Sequence, residues 1–175
     1  SPHFPLFKNK NTKYIRINHI NSKGRYLKRY DYFDTLILIA TGEIDFWKKH
    51  HNNVAIIPNF LPNILNLNTN YSQKVVLSMG RMANIDQKGF LRLIDIWKLI
   101  QDSSEFKDWK LHIVGDGELK EKIENKIKDL NLTNSIILKP FTKDVESEYL
   151  SASIYAMTSH FEGFGMVLIE AQSYA

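Results

Sequence analysis

Two carboxylates eight residues apart, Glu162 and Glu170, bracket the string Gly163-Phe164-Gly165-Met166-Val167-Leu168-Ile169. Glycines there let the backbone approach a ligand closely and aim amide hydrogens at it. The apolar run after Gly165 reads as a helix, whose first amides lack partners and suit an anion. Glu170 falls in the second turn of that helix, where a carboxylate can take a cis-diol through both oxygens, as an acidic residue takes ribose in dinucleotide folds. A second pair lies upstream. Arg81 follows the glycine after an apolar run, and Lys88 precedes the glycine that opens a helical one. At the two ends of one loop, a guanidinium fork and an ammonium point charge can neutralise a leaving diphosphate.

His19 is a third candidate. It ends the run Ile15-Arg16-Ile17-Asn18, although a single His at a strand end also serves as a hydrogen-bonded structural residue. The other histidines show no ligand spacing, and the adjacent His50 and His51 point apart on a helix.

The chain has no cysteine, which excludes disulfides, zinc–thiolate sites and cysteine nucleophiles and fits a reducing cytoplasm. It has neither Asp-x-Asp nor Gly-Lys-Ser/Thr. A divalent ion on a diphosphate wants clustered hard oxygen ligands, so the expectation is metal-independent chemistry with cationic side chains in the metal's place. No cofactor is implied. A hydrophobic fraction of 43% with 24% charged residues is that of a globular protein. Residues 1–53 carry ten Lys/Arg against four Asp/Glu, whereas the remainder is slightly acidic. Such a segment can touch an anionic membrane, at roughly 1 kcal/mol per cation near the surface, or be a solvated face. Dense basic runs and basic aromatic stripes are missing, which argues against nucleic acid. The apolar runs, such as Leu36–Ala40, are strand-length. The opening Ser1-Pro2, with neither initiator Met nor signal peptide, reads as a fragment.

Alternating elements must position these groups. Strands are expected at 13–17, 35–40, 54–57, 75–79, 111–114, 136–138 and 154–157. Helices are expected at 22–31, with Ser22 as N-cap, from 41 to about 50, at 89–100, 118–130 and 145–151, and after Gly165. Phe90, Leu93, Ile94, Trp97 and Ile100 recur at helical spacing and predict the buried side of their helix. Pro58, Pro62 and an asparagine-rich stretch mark a linker over 58–70. Apolar strands separated by helices argue for a parallel sheet covered on both faces, with ligands beyond the carboxyl ends of its strands.

The string from Glu162 to Ala171 resembles the E-x7-E signature of glycosyltransferase family 4, retaining GT-B enzymes that use nucleotide-sugar donors. The resemblance extends to Gly80-Arg81, to Lys88-Gly89, to Gly115-Asp116-Gly117 and to Leu138-Lys139-Pro140-Phe141. It also covers the segment around His19 and Ile56-Ile57-Pro58-Asn59, although Phe60 stands where the family usually has a turn glycine. It implies an α/β GT-B fold: residues 71–175 as most of a Rossmann-like donor domain, and 1–57 as the tail of a second, acceptor-side one. In such a protein Glu162 contacts the donor sugar, Glu170 holds ribose, and Gly163, Phe164 and Gly165 lie along sugar and phosphates. Arg81 and Lys88 grip the diphosphate, and His19 faces the sugar. Gly115–Gly117 forms a tight turn near the nucleotide, with Asp116 or Glu118 serving the next helix, and the 138–141 segment runs beside the nucleobase.

The implied activity is transfer of a hexose or N-acetylhexosamine, with retention, to a glycan or lipid-linked saccharide in polysaccharide, lipopolysaccharide or capsule synthesis. The place would be the cytoplasm or the inner membrane face, and the fragment alone would be inactive. A nucleotide-sugar epimerase and a retired nucleotide-sugar-binding protein are the alternatives.

Overall fold

The computed structural model describes residues 7–19, 24–61 and 67–175. It divides into two compact units: Ser1–Phe60 with Glu162–Gly165, and Leu61–Phe161 with Met166–Ala175.

The first unit is built on three parallel strands, β1 (Ile15–Asn18), β2 (Thr35–Leu38) and β3 (Val54–Ile56), in that order. Helix α1 (Ile44–His50) supplies Trp47, which is fully buried with Leu36, Leu38 and Tyr30. Tyr30 meets the indole edge-on at 4.7 Å, a geometry aromatic quadrupoles favour. Asp34 fixes the start of β2, accepting from Tyr14 N at 2.7 Å and from Lys8 Nζ at 2.8 Å.

The helix expected over 22–31 does not form. Ser22, its proposed cap, lies outside the described residues. Gly24 turns left-handed at φ +69°, Leu27 is extended, and only a single 3-10 turn, Lys28–Tyr32, follows. The reason is local: a left-handed residue ends a right-handed helix, and Tyr30 is committed to Trp47. Strand β2 stops two residues early, because the chain bends at Ile39-Ala40 into the 3-10 turn Thr41–Glu43 that leads to α1.

The second unit holds a four-stranded parallel sheet in the order β6-β5-β4-β7. Its strands are β4 (Val75–Met79), β5 (Lys110–Val114), β6 (Ile136–Lys139) and β7 (Ile154–Tyr155). The register Val76↔Leu111↔Ile136 puts alternate residues on opposite faces. On one face Leu111 and Ile113 pack beneath α2 (Phe90–Asp102) and α3 (Lys120–Asp129), with Phe90, Leu93, Ile94, Trp97 and Ile123 buried. On the other, Val75, Leu77 and Met79 pack under α4 (Val145–Leu150) and α5 (Met166–Gln172), where Tyr149 is buried. Ile100 remains half-buried at the end of its row. Strand β7 is two residues long rather than four, paired only to β4 among the described residues. Pro62 and its neighbours to Asn66, within the expected linker, lie outside the described residues.

Candidate functional site

At the carboxyl ends of β4 and β5 the chain turns twice, and the two turns are bonded to each other. Gly80 N donates to Val114 O at 3.0 Å, Met82 N to Asp116 O at 2.9 Å, and Leu119 N to Met82 O at 2.9 Å. Glycine is required for this approach. A Cβ on Gly115 would stand 2.0 Å from the Gly80 carbonyl oxygen, and one on Gly117, at φ +146°, would stand 2.4 Å from that of Met82.

Asp116 then ties in a third loop, accepting from Lys120 Nζ at 2.8 Å and from the Phe141 amide at 3.1 Å. Those two donors, Lys120 first, hold its carboxyl below the ordinary range. Asp116 and Glu118, expected to serve the next helix, both stand at its start. Asp116 pairs with Lys120 of the first turn, and the Glu118 carboxyl is held below its ordinary range first by its own backbone amide and then by Arg81. Leu119 itself opens α3 without a side-chain cap.

A cavity of 440 Å³ opens on these loops, with Arg81 and Glu170 among its walls and Val114, Val145 and Val167 as its apolar lining. Phe141 also lines it and is 67% exposed. Arg81 reaches Glu118 at 2.9 Å. The Lys88 stem lies across Gly80: a Cβ there would come within 3.0 Å of the lysine Cγ and Cε.

The residues that seat Lys88 escaped the sequence reading. Asp86, itself at φ +48°, accepts from Phe90 N at 2.8 Å and Leu91 N at 3.2 Å and so caps α2. Gly89, at φ +70°, passes so close to Thr158 that a Cβ would meet its carbonyl oxygen at 2.1 Å. Thr158 Oγ1 donates to Gly89 O at 2.9 Å. An aspartate four residues before the helical run was a readable cap signal; Thr158, far away in sequence, carried none.

Glu170 receives a hydrogen bond from the hydroxyl of buried Tyr149 at 2.8 Å. Burial first, then the adjacent carboxylate, pushes the Tyr149 phenol far above its ordinary pKa, so it remains a donor. A second hollow of 320 Å³, behind Tyr149, Tyr155 and Tyr174, has no charged side chain in its wall; the charges point to the first.

The remaining candidates fall in the first unit. Gly163 lies against the end of β1, where a Cβ would stand 1.9 Å from the His19 carbonyl oxygen. His19 is exposed, and Glu162 and Phe164 are half-buried. Gly165 is left-handed at φ +75°. Glu162 and Gly163 line an 80 Å³ recess with Asn18, Leu38 and Glu43. The structure thus puts Arg81 and Glu170 in the wall of one cavity of the second unit, with the Lys88 stem against Gly80 of that wall, and His19, Glu162 and Gly163 around the end of β1 in the first.

Residues 63–175 match the family described as glycosyl transferases group 1. An uncharacterized glycosyltransferase of Haemophilus influenzae is 32% identical over 160 residues, covering 89% of this chain and 43% of its own. The poly(glycerol-phosphate) alpha-glucosyltransferase of Bacillus subtilis is 29% identical over 172 residues, covering 92% of this chain and 25% of its own. Among solved structures, Staphylococcus aureus TarM in complex with fondaparinux, alpha-GlcNAc-glycerol and UDP aligns with a TM-score of 0.79 at 25% identity, over 94% of this chain and 36% of that one. The chain belongs to the group 1 glycosyltransferase family, and its parallel α/β architecture is that of GT-B glycosyltransferases. It spans less than half the length of these relatives. Among the described residues no helix is long and apolar enough to cross a membrane.

Proposed function

We propose that the protein carrying this chain transfers a hexosyl or N-acetylhexosaminyl unit from a nucleotide diphosphate sugar to a glycan or lipid-linked saccharide, with retention at the anomeric carbon. The observation that carries this reading is the 440 Å³ cavity lined by both Arg81 and Glu170, with the Lys88 stem laid over Gly80 beside it. Arg81 and Lys88 stabilise the departing diphosphate, a role in which fixed side-chain cations replace a divalent ion. Glu170 anchors the ribose hydroxyls. Glu162 orients the sugar and stabilises positive character at its ring, His19 contacts that sugar, and the Gly163-Phe164-Gly165 backbone runs along it.

Relatives support the chemistry. TarM was solved with UDP and an alpha-GlcNAc-glycerol, and the Bacillus subtilis relative is named an alpha-glucosyltransferase; both names fit retention with an α-linked donor. The basic first 53 residues fit a peripheral contact with anionic lipid at the inner membrane face. The relatives are more than twice as long, so these 175 residues by themselves are expected to be inactive in transfer.

The test is calorimetry of the full-length protein with UDP, GDP and ADP and their sugar conjugates, followed by product analysis by proton NMR, with and without EDTA. Binding of one nucleoside diphosphate and an α-glycoside product that survives EDTA support the reading. Free epimerised sugar without glycosylated acceptor would point to an epimerase, and binding without turnover to a retired site.

A further inference from the structure

We infer that Tyr149 is a positioning residue for ribose: its buried hydroxyl fixes the Glu170 carboxylate and thereby makes the site prefer ribonucleoside over 2′-deoxyribonucleoside diphosphates. The inference rests on the reading of Glu170 as the ribose anchor and adds a residue to it.

The geometry leaves little freedom to Tyr149. Its side chain is 4% exposed, its ring stacks on Tyr174 at 5.3 Å and 17°, and it meets Tyr155 at 5.7 Å. Below it, helix α4 is anchored by Asp144, which accepts from Ser147 N at 3.2 Å and Ser147 Oγ at 2.7 Å. The hydroxyl has two acceptors, Glu170 Oε2 at 2.8 Å and Val167 O at 3.3 Å. One proton can serve only one of them well, and the nearer, anionic oxygen takes it.

Two consequences follow for the carboxylate. A glutamate in an open helical position rotates about its terminal bond, and a diol must freeze that rotation when it binds. Here the bond from Tyr149 has frozen it beforehand, which lowers the cost of ordering. One oxygen is also claimed on the protein side, so the remaining lone pairs of Glu170, which lines the cavity, have a fixed direction. A vicinal diol satisfies such an acceptor with two donors; a 2′-deoxyribose offers one. Tyr155 extends the support. Its hydroxyl lies 3.2 Å from both Met79 N and Met79 O, accepting from the first and donating to the second, so the same aromatic group also holds the backbone just before Gly80 and Arg81.

The experiment compares the full-length protein, Tyr149→Phe, Glu170→Ala and the double variant. Calorimetry is run with whichever of UDP, GDP and ADP binds wild type most tightly, and with its 2′-deoxy counterpart; melting temperature is followed in parallel. Wild type should favour the ribonucleotide. Tyr149→Phe should weaken the ribonucleotide by about fivefold, the scale of one hydrogen bond, and the deoxynucleotide, with one donor to Glu170, by less, so that the preference shrinks. In the Glu170→Ala background, Tyr149→Phe should have no further effect on the preference. A merely structural role would weaken both nucleotides equally, and that outcome, or no change in either, overturns the inference. If wild type shows no preference, or Glu170→Ala keeps it intact, the ribose reading of Glu170 itself fails. Should Tyr149→Phe melt too low to measure, Tyr149→His, whose ring nitrogen stops short of Glu170 Oε2, decides: a shrunken preference supports the inference and an intact one overturns it.

Discussion

Arg81 and Glu118 are paired at 2.9 Å across the start of the loop that follows β4, with side chains 74% and 57% exposed. A diphosphate that engages the guanidinium must share it with this carboxylate or displace it. Exposed pairs of this kind are weak, so Glu118 acts as a placeholder rather than a lock. Glu118→Gln should tighten nucleoside diphosphate binding by about twofold in low salt, and the gain should vanish as added salt screens the charges. Weaker binding in Glu118→Gln would show that the glutamate orients Arg81 for the ligand instead.

Lys88→Ala should lower turnover of the full-length protein by about 10²–10³, the scale of removing one preorganised charge-stabilising donor. Gly80→Ala probes the same group indirectly, because the added Cβ would press on the Lys88 stem at 3.0 Å. It should cost about tenfold in turnover, within the range known for small misplacements of a reacting assembly, with an unchanged melting temperature. Steady-state kinetics of the pair decide; full activity in Lys88→Ala would remove it from the mechanism.

Gly163→Ala should separate binding from transfer. Its Cβ would collide with the His19 carbonyl oxygen, so the Glu162 loop must move away from the end of β1. Arg81 and Glu170 belong to the other unit. Nucleoside diphosphate affinity should fall less than kcat, which drops at least about tenfold. Equal loss of both in calorimetry and kinetics would mean that the loop is part of the nucleotide seat.

Asp116 gives a pH signature. Its folded pKa lies below the ordinary value of 3.8 because it accepts from Lys120 and from the Phe141 amide. A depressed carboxyl contributes stability that is complete above the unfolded value and disappears as pH falls through the folded one. Asp116→Asn should therefore melt below wild type at neutral pH, and the gap should close below pH 3.8. Melting curves at several pH values check this; a gap that persists in acid would assign the loss to packing.

The strands and the long helices were legible because their patterns were strong. Val75–Met79 and Leu111–Val114 are unbroken apolar runs, and Phe90, Leu93, Ile94 and Trp97 recur on one helical face and are buried there. The 22–31 helix, expected with Ser22 as its cap, fails because left-handed Gly24 and the packing of Tyr30 on Trp47 forbid it. For the candidate site, Arg81 and Lys88 were visible as charges beside glycines, and Glu170 as the carboxylate eight residues after Glu162. Their immediate partners were not. Tyr149 precedes Glu170 by 21 residues and Glu118 follows Arg81 by 37, separations at which no local spacing rule operates. Only the packing of distant elements brings such pairs together.

Three turns meet at the cavity: Gly80–Met82 and Gly115–Leu119 are joined through backbone atoms, and Phe141 is held through its amide by the Asp116 carboxylate, so none of the three depends on the Phe141 side chain. The Phe141 side chain, exposed at the cavity mouth, can therefore vary without rebuilding the mount beneath it. Lengthening or shortening 115–117 by one residue, by contrast, would break the bonds that hold all three turns together.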